Sequence, residues 1–459
     1  MSLAAEVFAA ARRSPARDAL VCGGEKISYA ALADKVRSTA LSLRSHGVGP
    51  GDRVLLVARG DSPSFVYAYL AVNALGAVAV PVDRGLPSSG VHELAKLTGA
   101  KLVAPPIESA SGGAFEPLTT DLDAASDILF TGGTTGLPKG VVQTWRGVRA
   151  FAAGRAAAVG SAEGERLVIP LPLSHGYGLS RLRAILMGGG TAILLDGFLA
   201  PGDLFRAFGD HGATSLCAVP SAFAALFELT GDEIKDYGER LRTIESATAP
   251  LLAAQIDRLL ELLPGARLLN AYGMTETTSS IAYVDLRAAA GKRGTVGKAI
   301  PGLALKVEGG RVFVKGDSVM KGYWNDPEQT NAAIQDGWYE ANDLGQLDAD
   351  GYLTLTGRRE ELINVGGLKV APAELEAVLR GHPAVSDCAC AGMPDPSGIV
   401  GERVKAVIVA ASGVPRPTSA ELISWLRSRV EAYKVPAVFE WRESLPRTAL
   451  GKLKRSELK

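Results

Sequence analysis

Short apolar runs alternate with helical patterns through the first 290 residues, and this alternation is the strongest constraint on the fold. An apolar run at 52–58 is followed by a helix pattern in SPSFVYAYLAVNALG and by a second apolar run at 77–82. Such runs indicate buried strands, and a strand–helix–strand order predicts a mostly parallel sheet. Further buried strands are predicted at 101–104, 166–171, 191–195, 215–219 and 267–272. We therefore expect a large α/β domain.

The pattern changes after about residue 292. Apolar and polar residues then alternate between glycine turns, which is typical of antiparallel β structure. From residue 358 onward a short helix, two strands, a second helix and a last strand are predicted, which together indicate a small α+β module. The length of 459 residues fits two or three domains. We predict an N-terminal domain at 1–357 and a C-terminal domain at 358–459.

Charge and cysteine content exclude several classes of protein. Lys and Arg number 49, as do Asp and Glu, and this zero balance argues against a nucleic-acid partner, which requires a basic surplus. We expect no membrane span, because no run of about 18 uncharged apolar residues occurs and the N-terminus lacks a signal-peptide core. The four cysteines are not spaced as a disulfide framework or a zinc site, so we expect buried thiols and a cytoplasmic location.

The segment from Thr131 to Gly140 directly follows an apolar run and contains four glycines, three threonines and a lysine. Glycines let backbone N–H groups approach phosphate oxygens, while hydroxyls and a lysine add donors and charge. A Walker A loop is excluded because Lys139 precedes Gly140 instead of Ser or Thr. The segment predicts a polyphosphate cradle, with a generic glycine-rich turn as the alternative. Its assigned residues are Thr131, Gly132, Gly133, Thr134, Thr135, Gly136 and Lys139.

Five blocks, of which this loop is the first, occur in one order along the chain. The other four are YGMTET at 272–277, NDLG at 342–345, GRRE at 357–360 with Gly366 and Gly367, and PRTALGK at 446–452. On these blocks the chain resembles the adenylate-forming enzymes, which include acyl-CoA ligases, peptide-synthetase adenylation domains and luciferases. The resemblance runs from about residue 18 to the C-terminus. It implies an α/β fold in which a large N-terminal domain with mixed sheets precedes a small, mobile α+β domain.

The resemblance also implies an acid–thiol ligase that uses ATP and Mg²⁺. The loop would hold the β- and γ-phosphates, Thr275 would donate to the α-phosphate, and Glu276 would bind Mg²⁺. Lys452 would bridge the substrate carboxylate and the α-phosphate as charge develops. Adenine would lie beside Tyr272, and the set around the base is Thr248, Ala249, Pro250, Asn270, Ala271, Tyr272 and Gly273.

The ribose is expected to contact Asp343, whose two oxygens suit a diol, and Arg358. Each charged residue has a structural alternative. Glu276 could cap a helix, Asp343 could stabilise a turn before Gly345, and Lys452 could be a solvated tail charge.

The C-terminal module is implied to rotate between two half-reactions about a hinge at Glu360. Gly366 and Gly367 would then line the path of a pantetheine arm. Glu360 departs from the family's usual Asp or Lys. Two other departures are Ala341-Asn342, where Thr-Gly is common, and Asn364, where a lysine often stands.

The segment from Pro172 to Gly178 matches the family block that lines the acyl site. His175 would lie beside the acyl carbonyl, and Tyr177 and Gly178 would contact the substrate. The block has no acidic residue to pair an ammonium group, so an amino-acid substrate is disfavoured. An aryl acid fits best, with a medium-chain acid as the alternative. Arg181, one helical turn beyond Tyr177, is expected to face solvent, the alternative being a contact with a second carboxylate or a polar tail of the substrate.

Coenzyme A is the expected acceptor of the acyl group. The alternative is the phosphopantetheine of an acyl carrier protein. Two rival functions are a catalytically silent nucleotide-binding relative and a P-loop kinase. We expect a monomer or a homodimer.

Overall fold

The computed structural model describes residues 2–58, 62–104, 113–131, 139–160, 164–198, 200–365, 368–396, 402–448 and 451–458. The chain divides into two compact units. The larger unit comprises Met1–Leu305 and Val314–Tyr339, and the smaller unit comprises Lys306–Phe313 and Glu340–Lys459. The predicted domain boundary at residue 358, and the mobility of the module beyond it, stay predictions.

The helices are α1 (Leu3–Arg13), α2 (Tyr29–Ser45), α3 (Ser64–Ala74), α4 (Ser88–Thr98), α5 (Trp145–Val159), α6 (Gly176–Met187), α7 (Pro201–Gly209), α8 (Pro220–Thr230), α9 (Ala253–Leu262), α10 (Pro327–Ala333), α11 (Pro372–Arg380) and α12 (Ser419–Arg427). Local sequence explains several of their ends. The Ser28 hydroxyl accepts a hydrogen bond from the Ala31 N–H and starts α2. Gly99, at φ +59°, ends α4 in the left-handed conformation that glycine favours.

The strands before the antiparallel region are β1 (Asp18–Cys22), β2 (Glu25–Ser28), β3 (Arg53–Ala58), β4 (Val78–Asp83), β5 (Leu102–Ala104), β6 (Ala125–Thr131), β7 (Lys139–Thr144), β8 (Arg166–Ile169), β9 (Thr191–Leu194), β10 (Ser215–Ala218), β11 (Thr243–Ser246), β12 (Arg267–Gly273) and β13 (Ser280–Asp285). The later strands are β14 (Lys298–Ala299), β15 (Leu303–Glu308), β16 (Arg311–Gly316), β17 (Gly322–Tyr323), β18 (Ile334–Gln335), β19 (Trp338–Leu347), β20 (Leu353–Arg358), β21 (Ile363–Val365), β22 (Leu368–Val370), β23 (Val385–Pro394), β24 (Glu402–Ala410) and β25 (Val438–Arg442).

Two largely parallel sheets organise the larger unit. One has the strand order β14–β13–β12–β11–β10–β8–β9–β1–β2, and the pairs from β12 through β1 are all parallel. The other has the order β17–β7–β6–β4–β3–β5, with β7 antiparallel to β6. Each buried strand predicted from the sequence coincides with a strand of these sheets, so the predicted α/β class is confirmed.

The smaller unit has the α+β composition that its sequence predicts. Strand β24 pairs antiparallel with β23 and parallel with β25. Cys388 and Cys390 lie in one apolar core with residues of α11 and α12, whereas Ala389 belongs to a second cluster. The alternation of a strand explains this split, because successive side chains point to opposite faces. All four cysteines are buried free thiols, as predicted.

Helix α6 carries two arginines, Arg181 and Arg183, that are completely buried. The prediction that Arg181 faces solvent is therefore wrong. Two residues apart on a helix correspond to about 200° of rotation, so the two side chains leave α6 on opposite sides. Arg181 reaches the first sheet, where it donates to Glu245 of β11. Arg183 reaches the second sheet, where it pairs with Asp127 of β6.

Glu245 is the centre of the first of these networks. It pairs with both Arg181 and Arg155, and it also accepts a hydrogen bond from the Tyr283 hydroxyl. Burial alone would raise the pKa of Glu245, but the two arginines hold it below its usual value. Arg155 also pairs with buried Glu165, so two positive charges face two negative charges. The network is neutral as a whole, which is the condition under which buried charges are tolerated.

We predict that Glu245→Leu destabilises the protein by about 3–5 kcal/mol, because it leaves Arg181 without its carboxylate partner in a buried site. The double variant Glu245→Leu with Arg181→Met removes one charge of each sign and should recover most of that loss. Urea denaturation measures both effects. Asp232→Asn, in an exposed pair with Arg258, is the control and should cost less than about 0.5 kcal/mol. Equal losses in Glu245→Leu and in the control would contradict this account.

Candidate active site

Three predicted blocks follow neighbouring parallel strands of the first sheet. The block at 172–178 follows β8, residues 248–250 follow β11, and residues 274–276 follow β12. Because β8, β10, β11 and β12 run parallel in this order, their carboxyl ends meet at one edge of the sheet. Ligands of α/β proteins bind at this edge. The topology therefore brings together segments that lie up to about 100 residues apart in the sequence.

The acyl block forms the entry to α6. His175 is half-buried and directly precedes the helix, and its carbonyl accepts from the Leu179 N–H at 3.1 Å. A side-chain carbon at Gly178 would lie 2.6 Å from the Pro172 carbonyl oxygen, so this glycine is required for packing. At Gly176 such a carbon would lie 3.6 Å from Thr275 Oγ1, which places the start of α6 beside the turn after β12.

Tyr177 is buried, and its hydroxyl donates to the Glu245 backbone carbonyl at 3.2 Å. The Arg181 guanidinium lies 4.5 Å from the centre of its ring. The tyrosine is thus part of a wall that the Glu245 network supports. Substrate contacts of His175, Tyr177 and Gly178 stay predictions.

The segment at 248–250, which follows β11, has a strained backbone at Thr248. Thr248 has φ +77°, a conformation that β-branched residues rarely adopt. Its buried hydroxyl has no hydrogen-bond partner among the described residues. Ala249 is half-buried and Pro250 is exposed. A strained backbone beside an unsatisfied buried hydroxyl is typical of a ligand site, which agrees with the predicted place of the adenine.

The opposite side of the predicted adenine site is the end of β12. Asn270 is a register partner of Ser246 on β11, and Ala271 and Tyr272 are buried. Gly273 opposes Ser280 of β13 at a register shift. A side-chain carbon at Gly273 would lie 2.1 Å from the Ser279 carbonyl oxygen, so no other residue fits without displacing the strand.

Thr275 and Glu276 lie in a 3₁₀ turn, Thr275–Thr277, directly after β12. Gln143 of β7 donates to the Thr275 carbonyl at 3.0 Å. The Tyr323 hydroxyl donates to Glu276 Oε1 at 3.3 Å. The turn is thus joined to the sheet that carries the phosphate loop, and Glu276 presents a carboxylate there.

The predicted phosphate loop lies between β6 and β7 in the sequence. Thr131 and Lys139 are register partners at its two ends. Residues Gly132, Gly133, Thr134, Thr135 and Gly136 lie outside the described residues. Lys139 Nζ is 5.7 Å from the centre of the Tyr323 ring. Tyr323 therefore contacts both the lysine of the loop and the carboxylate of Glu276.

A single carboxylate such as Glu276 is a suitable ligand for Mg²⁺, which commonly keeps several waters and shares its sites with substrate phosphates. No cluster of three or more His, Cys, Asp or Glu side chains that could hold a metal occurs among the described residues. The donor set therefore fits an ion that would bind together with the nucleotide. The assignment of Glu276 as its ligand stays a prediction.

In the smaller unit, Asp343 of β19 and Arg358 of β20 are register partners, and Arg358 Nε donates to Asp343 Oδ1 at 3.2 Å. Asp343 lies within a strand and not at a turn. Glu360 belongs to the 3₁₀ turn Arg359–Glu361, and Lys452 is exposed. Gly366 and Gly367 lie outside the described residues.

Sequence reasoning missed Tyr323 and Gln143. Tyr323 lies in the region after residue 292 that is predicted as antiparallel β structure, and no residue near it in the sequence indicates a contact with Glu276. Gln143 follows apolar residues on a buried strand. Their roles arise from pairing β17 and β6 with β7, which no local pattern specifies.

Two family models match this chain. A model of the AMP-binding enzyme matches residues 7–111 and 104–324, and a model of the AMP-binding enzyme C-terminal domain matches residues 374–452. No helix in the described part of the chain is long and apolar enough to cross a membrane.

Individual relatives are similar over nearly the whole chain. Feruloyl-CoA synthase from an Amycolatopsis species is 33% identical, with 98% of this chain and 96% of the relative covered. Among solved structures, O-succinylbenzoate coenzyme A synthetase from Bacillus subtilis, in complex with ATP and magnesium, has a TM-score of 0.86 at 29% identity, covering 99% of both chains. ATP-bound MatB from Rhodopseudomonas palustris has a TM-score of 0.88 at 26% identity, covering 100% of this chain and 98% of its own.

We predict that Gly273→Ala destabilises the protein by about 1–3 kcal/mol, because the added carbon must displace β13. It should also weaken binding of a fluorescent ATP analogue, since the shift moves Thr275 and Glu276. Thermal unfolding and fluorescence titration measure the two effects. Gly291→Ala is the control, because an added carbon there meets nothing within 4 Å. If Gly273→Ala matched this control in both measurements, β12 would not hold the turn in place.

Proposed function

This chain belongs to the AMP-binding enzyme family, and from that premise we propose that it is an ATP-dependent acid–thiol ligase that acts on a non-amino carboxylic acid. One observation carries the proposal. The carboxyl ends of the parallel strands bring three segments to one edge of the first sheet: residues 172–178, residues 248–250 and the turn with Thr275 and Glu276. This edge lies beside the hairpin that bears Lys139.

In the first half-reaction, an oxygen of the substrate carboxylate attacks the α-phosphorus of ATP. A new P–O bond forms, the bond between the α-phosphorus and the bridging oxygen breaks, and pyrophosphate leaves with that electron pair. Lys139 would neutralise phosphate charge, Thr275 would donate to the α-phosphate, and Glu276 would hold Mg²⁺. Asp343 and Arg358 would bind the ribose, and Lys452 would contact the reacting oxygens. This chemistry depends on positioning and on charge stabilisation.

In the second half-reaction, a thiol that loses its proton to solvent attacks the acyl carbon. A C–S bond forms, the bond to the phosphate oxygen breaks, and AMP leaves. We propose that residues 358–459 reorient about Glu360 between the two steps, and that the segment with Gly366 and Gly367 then meets the pantetheine arm.

The substrate that we favour is an aryl acid. Feruloyl-CoA synthase and 2-succinylbenzoate–CoA ligase, two relatives at 33% and 31% identity, are named for aromatic acids. The acyl block of this chain lacks an acidic residue, and Tyr177 contributes an aromatic ring to its wall. A medium-chain acid is the alternative.

Coenzyme A is the acceptor that we favour, because the relatives are named as CoA ligases. A carrier protein's phosphopantetheine is the alternative. Four buried free thiols suit a reducing compartment, which supports a cytoplasmic location. A monomer or a homodimer would serve this mechanism equally.

A panel of aryl and aliphatic acids, incubated with ATP and Mg²⁺, tests the first half-reaction. We expect pyrophosphate release with aryl acids and AMP release once coenzyme A is added. ADP as the product would indicate a kinase. Turnover with a phosphopantetheinylated carrier protein but not with coenzyme A would identify the alternative acceptor. No pyrophosphate from any acid would favour a catalytically silent relative.

We predict that Lys452→Ala slows acyl-adenylate formation by about 100- to 1000-fold, because a charge that stabilises the transition state is lost. Its thermal unfolding should not change, since the side chain is exposed. Lys454→Ala, two residues away in an exposed pair with Glu457, is the control and should retain activity. Unchanged adenylate formation in Lys452→Ala would refute the proposed role of the lysine.

A further inference from the structure

Lys452 lies in a short hairpin of the smaller unit. The Thr448 N–H donates to the Lys452 carbonyl at 2.7 Å, and the Lys452 N–H donates to Thr448 Oγ1 at 3.1 Å. Arg447 and Leu453 form an antiparallel bridge just outside this pair. These bonds shape the hairpin, and Arg447 Nη2 attaches it to Asp387 of β23 at 2.6 Å. A second attachment, on the other side of Lys452 along the chain, would further restrict the position of its ammonium group.

Arg455, three residues after Lys452, supplies an anchor. Its Nε donates to Glu361 Oε2 at 2.7 Å, and its Nη1 donates to the Cys390 carbonyl at 2.8 Å. Both terminal nitrogens also donate to the carboxylate of Glu376 on α11. The Arg455 guanidinium therefore links the segment after Lys452 to the turn Arg359–Glu361, to α11 and to β23.

The partners of Arg455 are themselves held in place. The Glu376 side chain is 6% exposed, and its Oε1 also accepts from the Cys390 N–H at 2.8 Å. Glu361 lies in the 3₁₀ turn Arg359–Glu361, next to Glu360, the predicted hinge residue. The planar fork of an arginine suits such bidentate carboxylate binding, which a lysine cannot reproduce.

We propose that Arg455 is a positioning residue for the adenylation step, which holds the Lys452 hairpin on α11 and connects it to the hinge turn. This inference rests on the proposed role of Lys452. Through Glu361 the hairpin is attached to the turn that contains Glu360, the predicted hinge residue. The arginine acts through the lysine and contacts no substrate.

The test measures the two half-reactions separately in the full-length enzyme. Arg455→Met should slow pyrophosphate release with the acid by about 10- to 100-fold, the loss expected when a catalytic group is misplaced by about 1 Å. Thioester formation from a supplied acyl-adenylate and coenzyme A should change by less than about twofold, because Lys452 serves only the first step. Arg455→Lys keeps the positive charge but loses the planar guanidinium that donates to two carboxylate oxygens at once. It should therefore restore only part of the adenylation rate.

Arg427→Met, at an exposed arginine of α12, is the matched control and should leave both rates unchanged. Glu361→Gln removes one of the carboxylate contacts and leaves Glu376 in place, so it should slow adenylation alone by about two- to fivefold. If Arg455→Met does not fold, Arg455→Lys and Glu361→Gln decide the question. Equal slowing of both half-reactions, or of neither, would overturn the inference. Lys452→Ala with normal adenylation would refute the proposed role of Lys452 and with it this inference, whereas the absence of pyrophosphate release from the unsubstituted enzyme with every acid would refute the proposed function.

Discussion

The buried carboxylate of Glu245 is the interaction on which the acyl side of the larger unit depends. It lies on β11, an interior strand of the first sheet, and neutralises arginines from two helices, Arg181 of α6 and Arg155 of α5. Since α6 begins at the acyl block, the ion pair also determines where that block lies. A charge at this depth is expensive without partners, so the network restricts α6 to the one placement in which every charge is paired.

Arg183 extends the same constraint to the second sheet. It pairs with Asp127, donates to the Tyr69 hydroxyl, and donates to Gln143, which in turn donates to the Thr275 carbonyl. A chain of hydrogen bonds thus runs from α6 through β7 to the turn that carries Glu276. The predicted acyl block, the β6–β7 hairpin and the predicted magnesium ligand Glu276 are thus connected through α6. A buried charge such as Arg183 favours the arrangement in which its carboxylate partner, Asp127, lies beside it.

The sequence predicts seven strands of the two sheets, because each contains a short apolar run: β3, β4, β5, β8, β9, β10 and β12. It does not predict β11, whose sequence TIES includes the buried Glu245 and Ser246 and therefore resembles a surface segment. For the same reason Arg181 is predicted on the surface, since an arginine's partner on a distant strand leaves no local pattern. The candidate site likewise contains residues that the sequence reveals and residues that only the structure reveals. Blocks with unusual composition can be recognised along the chain, whereas Tyr323 and Gln143 become recognisable only through strand pairing.

The zero net charge of the chain affects how a polyphosphate could bind at the candidate site. The buried arginines of α5 and α6 are balanced by Glu165, Glu245 and Asp127, so these networks contribute little net field. A polyphosphate that enters the larger unit therefore meets no general surplus of positive charge, and it depends on local donors such as Lys139. Binding of this kind is selective for geometry more than for charge, because each donor must lie where a phosphate oxygen falls. Function therefore depends mainly on where the donor groups lie, and the buried ion pairs of α5 and α6 help to fix those positions.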